Sequence, residues 1–177
     1  ALGSIDILVN NAGVAPVGRA GRHPLEKWQQ ALDINLTAVF LCCQHVGRQM
    51  IERGRGGRII NISSVLGEGA NAVHNTIGYV ATKGAVTNMT RQLAVEWAPH
   101  GITVNALAPS GFPTEMTIYP RFGRVHEEQR ARMEAFTPMG RLGREGELCG
   151  AIIFLASPAA SYVTGIVLHV DGGWRAW

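Results

Sequence analysis

The sequence predicts an α/β fold, a parallel sheet of about four strands flanked by helices, and three observations carry that expectation. Apolar runs of strand length alternate with longer stretches whose apolar residues recur at three- and four-residue steps. The first run, IDILVNN (5–11), is nearly continuous in apolar residues, as a parallel strand buried on both faces should be. Glycines and prolines mark where the longer stretches stop.

After IDILVNN, a helix is predicted to start at Pro24, since proline suits a first helical position. Leu25, Trp28, Leu32, Leu36, Val39, Phe40, Cys43, Val46 and Met50 give it one apolar face. RGRGG (53–57) ends it, and RIINIS (58–63) is the second strand. RGRGG is not a phosphate loop, because such a loop follows a strand and opens a helix, whereas this one precedes a strand. GYVATKGAVTNMTRQLAVEW forms the next helix, running to about Ala98 before Pro99 and Gly101 stop it. ITVNALA (102–108) is a third strand, closed by Pro109. The charged stretch 114–138 holds a short helix between loops, GELCGAIIFLAS a further helix halted by Pro158, and GIVLHVDGG the last strand. No repeat or linker divides the 177 residues, so one domain is expected.

Composition narrows the function classes. A hydrophobic content of 46% with 16% charged residues is that of a globular chain with a core. The net charge is +3, but the arginines are scattered, so no nucleic-acid partner is expected. AIIFLA (151–156) is far too short to span a bilayer, so no membrane partner is expected either. The start, ALGSIDILVNN, lacks the pattern of a signal peptide, and the cysteine usage makes a reducing, cytoplasmic setting the default expectation. Cys42, Cys43 and Cys149 fit neither a disulfide framework nor a metal-ligand spacing and read as small buried hydrophobes. The histidines show no metal-binding spacing, so no metal is expected.

Tyr79 and Lys83 are the residues that stand out. Lys83 is one of two lysines in the chain, and on a helix it lies one turn from Tyr79 on the same face. A phenol with pKa ~10 must drop by ~3 units, or ~4 kcal/mol, to act as a base near neutrality. Burial pushes the other way. A cation ~5 Å away at an effective dielectric of ~20 supplies ~3 kcal/mol of the required shift. Lysine is therefore expected to lower the phenol, with a second positive charge completing the effect. Ser63 and Ser64 end the second strand, Asn10 to Gly13 end the first, and Pro109 ends the third. Together these strand ends define one rim, where open α/β sheets bind ligands.

NNAG at 10–13, Asn35 in DINLTAVF, NISSVLG at 61–67, YVATK at 79–83 and NALAPSG at 105–111 resemble the short-chain dehydrogenase/reductase family, in the family's order. GRLGREGELCGAIIFLAS and VTGIVLHVDGG extend the resemblance over essentially the whole chain. The resemblance implies the C-terminal part of a Rossmann-like doubly wound parallel sheet. It also implies NAD- or NADP-dependent interconversion of a secondary alcohol and a ketone by hydride transfer. Tyr79 would be the general acid/base. Lys83 would lower its pKa and hold the nicotinamide ribose, and Ser64, rather than Ser63, would bind the substrate oxygen. Asn35 would hold a water in a proton relay to Lys83. Asn11, Ala12 and Gly13 would line the cofactor cleft, and Pro109, Phe112 and Thr114 would meet its nicotinamide end.

Residues 112–138 resemble the family's substrate lid, where Arg121 and Arg124 could meet a carboxylate, although a solvated charged helix is the favoured reading of these arginines. VDGGWRAW is similar to members acting on sugar acids, and GRIINISSVLG to members that reduce 3-oxoacyl groups. A small-molecule alcohol or ketone is the expected substrate, and a tetramer or dimer of identical subunits the expected assembly. Ser110 replaces the family's glycine after Pro109 and is expected to displace Gly111. The family's first strand, glycine-rich turn and helix have no counterpart here, which implies a partial domain belonging to a longer enzyme. The rival expectation is an assembly or binding fragment without catalysis.

Overall fold

The computed structural model describes residues 3–70, 72–114 and 125–177, without the side chains of residues 125 and 126. Four parallel strands lie in the order β1 (Ile7–Asn10), β2 (Gly57–Ile62), β3 (Ile102–Pro109), β4 (Val167–Val170). The register sets Val9 beside Ile60, Ile59 beside Val104, and Ala106 beside Val167. Helices α1 (Leu25–Leu32), α2 (Ala38–Arg53) and α3 (Ile77–Trp97) follow β1 and β2, while α4 (Val125–Phe136) and α5 (Cys149–Ala156) precede β4.

Strand alternation sorts the core into two layers. Ile59 and Val104 pack with Val39, Cys43, Met50, Val86 and Leu93 on the α2/α3 side. Ile60 and Leu107 pack with Leu155 of α5 on the other. Parallel strands covered on both faces need apolar residues at both parities, and IIN and VNALA supply them. At the edge of the sheet, Ile5, Ile7 and Val9 are 40–47% exposed.

Three sequence expectations are corrected. The long first helix is not uniform: Asp33–Thr37 form a π-helical turn between α1 and α2, with the Ala38 N–H donating to Asp33 O. Pro24 occupies the cap position (ψ 137°) rather than the first helical one. The last strand is shorter than GIVLHVDGG, because the Asp171 carboxylate accepts the Gly173 and Arg175 N–H groups and turns the chain. RGRGG behaves as expected, with Gly54 in the left-handed region at φ 67° closing α2 through its N–H to Met50 O.

The cysteines also depart from expectation. All three are free thiols, but Cys42 and Cys149 are exposed. Buried Cys43 belongs to a polar cluster: Asn10 Nδ2 donates to Asn61 Oδ1 (2.8 Å) and Cys43 Sγ (3.2 Å), and Asn61 Nδ2 donates to Thr90 Oγ1 (3.0 Å). Burial raises the Cys43 thiol to about 11, so it stays protonated. The cluster ties β1, β2, α2 and α3 together just below the strand ends.

Close packing of α2 on α3 depends on Gly47, where a Cβ would lie 2.6 Å from the Trp97 ring. Gly47→Ala is expected to cost about 1–3 kcal/mol by overpacking, despite alanine's better helix propensity. A lowered urea midpoint at constant m-value would show it, whereas an unchanged midpoint would mean that Trp97 moves aside freely.

Candidate active site

β2 delivers two serines with different tasks. Ser63 turns toward α3, where its hydroxyl donates to Lys83 O (3.1 Å) and shares a hydrogen bond with Thr87 Oγ1 (2.7 Å). Ser64 caps the 3₁₀ turn Val65–Glu68 by accepting the Leu66 N–H at 3.2 Å. The same Ser64 hydroxyl shares a hydrogen bond with the Tyr79 phenol. Gly67 lets this turn sit directly on α3, since a Cβ there would lie 2.8 Å from both Lys83 O and Ser63 Oγ. Ser64 and Tyr79 are thus held together by backbone packing as well as by their own bond.

Lys83 reaches under the ring. Its Nζ lies 5.5 Å from the Tyr79 ring centroid and donates to Ile62 O at 2.6 Å. The side chain is 4% exposed, and burial lowers its pKa to about 8. The Tyr79 phenol stands above its ordinary value, because burial outweighs the Ser64 hydrogen bond. The lowering expected from lysine and a second positive charge is not what this form shows: at neutral pH it carries a neutral phenol and a predominantly charged Lys83.

Asn35 sits in the π-helical turn, fully buried. Its Oδ1 accepts the Val14 N–H (2.8 Å), and its Nδ2 donates to Val14 O (2.8 Å) and Thr82 Oγ1 (3.1 Å). The side chain is therefore a clamp holding the loop after β1 against α3. Gly13 stands between it and the lysine, where a Cβ would be 3.4 Å from Asn35 Oδ1 and 3.7 Å from Lys83 Nζ. The missing side chain leaves that polar corner open toward the cleft.

Asn11, Gly13, Ser64, Tyr79, Lys83, Pro109, Phe112 and Thr114 all line one cavity of about 530 Å³ at the carboxyl ends of the strands. Ala12 is exposed and does not line it, and Asn35 stands behind its wall. The Ser110 hydroxyl donates to Asp171 O (3.2 Å), and Gly111 O beside it accepts the Gly143 N–H at 2.9 Å. Arg121 and Arg124 lie outside the described residues. His74, Gln129, Met133, Leu148 and Trp174 also line the cavity and were not singled out from the sequence. Their only signal is position, in or beside loops that follow the sheet's carboxyl ends. No group of three metal-ligating side chains occurs among the described residues.

The donor set suits a dinucleotide. A buried ammonium with one protein acceptor keeps further N–H donors for sugar hydroxyls, and Gly13 leaves the adjoining space clear. An apolar wall of Pro109, Phe112 and Ile62 faces a flat ring well.

Comparison with known proteins agrees with the geometry. The family profile described as Enoyl-(Acyl carrier protein) reductase matches residues 1–175. Galactitol 2-dehydrogenase (L-tagatose-forming) of Cereibacter sphaeroides is 43% identical over 100% of this chain and 68% of its own length. Gluconate 5-dehydrogenase of Gluconobacter oxydans is 44% identical over 97% of this chain and 65% of its own. A gluconate 5-dehydrogenase structure from Burkholderia cenocepacia, in complex with NADP and tartrate, superposes with a TM-score of 0.91. It is 41% identical and covers 99% of this chain and 67% of its own. The chain thus spans about two thirds of the length of these relatives. By fold, by the order of its motifs and by these matches, the chain belongs to the short-chain dehydrogenase/reductase family.

Proposed function

We propose that this chain carries the proton-transfer and substrate-binding half of an NAD(P)-dependent oxidoreductase that interconverts a secondary alcohol and a ketone. The observation that carries the reading is the Ser64–Tyr79 hydrogen bond with the Lys83 ammonium beneath the same ring. The bound nicotinamide supplies or accepts the hydride. Ser64 and Tyr79 then hold the substrate oxygen between two hydroxyls, Ser64 orienting it and Tyr79 giving or taking the proton. Lys83 stabilises phenolate as it forms and binds ribose hydroxyls. Asn35 keeps the Gly13–Val14 loop at the cofactor wall, and its π-helical turn disrupts the regular backbone hydrogen bonding there, which is where this reading puts the relay water. Asn11, Gly13, Pro109, Phe112 and Thr114 complete the cofactor side.

The substrate we favour is a small polyhydroxylated alcohol or ketone, a sugar alcohol or sugar acid. The relatives whose names specify galactitol and gluconate support it, as does a cavity that mixes polar His74 and Gln129 with apolar Met133 and Trp174. A 3-oxoacyl substrate is the second candidate, supported by a 42% identical 3-oxoacyl-[acyl-carrier-protein] reductase of Vibrio cholerae. Self-association through α2 and α3 is part of the reading, since Phe40, Leu41 and Val95 are exposed on those helices.

Tyr79→Phe is expected to lower kcat by about 10²–10⁴-fold while leaving dinucleotide affinity nearly unchanged. Steady-state assays with galactitol, gluconate and a 3-oxoacyl thioester, beside a binding titration, check it. Full activity in the variant would remove Tyr79 from the chemistry. Because the phenol starts above its ordinary value, alcohol oxidation should speed up as pH rises into the alkaline range, and ketone reduction should slow. Matched pH–rate profiles in the two directions read this directly, and parallel profiles would contradict it.

Lys83 makes a second prediction, about stability. Its folded pKa of about 8 lies below the ordinary 10.5, so between those values the unfolded chain binds more protons and stability rises with pH. Below about pH 8 the buried ammonium costs on the order of 3 kcal/mol. Lys83→Met should therefore melt higher at pH 7, lose the stability gain between pH 8 and 10.5, and lose activity. Unchanged pH-dependence of melting in that window would refute the burial account.

A further inference from the structure

The chain beyond β4 is fastened to the end of α4 with unusual thoroughness. Gly172 (φ 62°) and Gly173 (φ 90°) form a left-handed turn that side chains rarely adopt. Gly172 O accepts the Met139 N–H at 3.1 Å, and Cβ positions at the two glycines would press on Thr137 (2.7 Å) and Pro138 (3.1 Å). Thr137 in turn donates its hydroxyl to Met133 O, closing the last turn of α4. Above this junction the Trp174 ring packs on Phe136 of α4, with centroids 5.6 Å apart and planes tilted by 44°. Trp174, Met133 and Gln129 also line the cavity, and Met133 fills the space over Gly111 that a side chain there would need. The described α4 side chains are mostly exposed, and among the described residues these contacts tie its last turns to the end of β4.

We propose that Trp174 is a positioning residue for the substrate. By gripping Phe136 it pins the last turns of α4 over the cavity, and so fixes where Gln129 and Met133 meet the part of the substrate remote from Ser64 and Tyr79. Its indole forms part of the same wall, against which the C–H face of a hydroxylated carbon chain packs. A short alcohol that ends near Tyr79 gains little from this wall, whereas a six-carbon polyol uses it along its length. The kinetic consequence rests on the oxidoreductase reading; the anchoring of α4 does not.

The test uses Trp174→Ala and Trp174→Phe in the full-length protein with two independent readouts. Trypsin cuts after Arg130 and Arg132 report on α4 directly, and Trp174→Ala should speed them about tenfold or more while Trp174→Phe stays near wild type. In assays, Trp174→Ala should raise KM for a six-carbon polyol about tenfold with kcat within about threefold, little change for a three-carbon alcohol, and an unchanged dinucleotide Kd. Unchanged trypsin cutting would overturn the anchor, as would equal loss for short and long substrates together with cofactor binding. Faster cutting in a protein whose wild type oxidises no polyol would uphold the anchor and reject the substrate class instead.

Discussion

The structure depends on one charged group placed where it is least comfortable. Lys83 carries its ammonium into a site that is 4% exposed, with one backbone carbonyl as its described partner. Desolvation of that kind opposes folding, and a lysine serving only the fold would be better replaced by methionine. The surrounding parts make sense as the framework that forces it there. Gly67 brings the Ser64 turn against the helix, Gly13 clears the space in front of the amine, and Asn35 fastens the loop that passes over it.

The same framework accounts for the polar residues in the core. Asn10, Asn61 and Thr90 satisfy one another across two strands and a helix, and Thr90 closes the chain by donating to Val86 O at 2.9 Å. Buried amides cost stability when any member is unpaired, so this set fixes the heights of β1 and β2 relative to α3. Those heights decide whether Ser64, at the end of β2, meets Tyr79, on the first turn of α3. On the far side, Asn105 binds Val163 O and accepts from Ile166 N, fixing the approach to β4 and hence the turn that carries Trp174. Polar core residues thus transmit register from strand to strand, and the Ser64 and Tyr79 hydroxyls inherit their placement.

Much of this was legible in the residues. Apolar runs located all four strands, and the four-residue spacing of Tyr79 and Lys83 placed both on one helical face. Strand alternation implied that only one of Ser63 and Ser64 reaches Tyr79, the family resemblance pointed to Ser64, and the two hydroxyls do part company. What the sequence concealed has physical causes. The π-helical turn carries Asn35, which is bonded to Val14, a contact 21 residues distant that periodicity does not register. Cys43 looked like a small hydrophobe because its partners, Asn10 and Asn61, come from other elements. Burial was expected to oppose the lysine at Tyr79, but how deeply the phenol is buried, which decides the direction, is set by tertiary packing. Trp174 belongs to the cavity through tertiary packing at the C-terminal turn, for which local pattern gives no cue, whereas Gln129 falls within the 112–138 stretch read as a lid.

The central claim is that Ser64, Lys83 and a bound oxidised nicotinamide act in concert on one phenol whose resting state is neutral. Titrating the full-length protein labelled with ¹³Cζ-tyrosine, with Tyr79 assigned by its loss in Tyr79→Phe, measures this most directly. The account predicts a Tyr79 pKa above that of free tyrosine in the cofactor-free protein, higher still in Ser64→Ala, and a marked fall on saturation with oxidised dinucleotide. A Tyr79 signal that titrates like free tyrosine, indifferent to Ser64 and to dinucleotide, would contradict it.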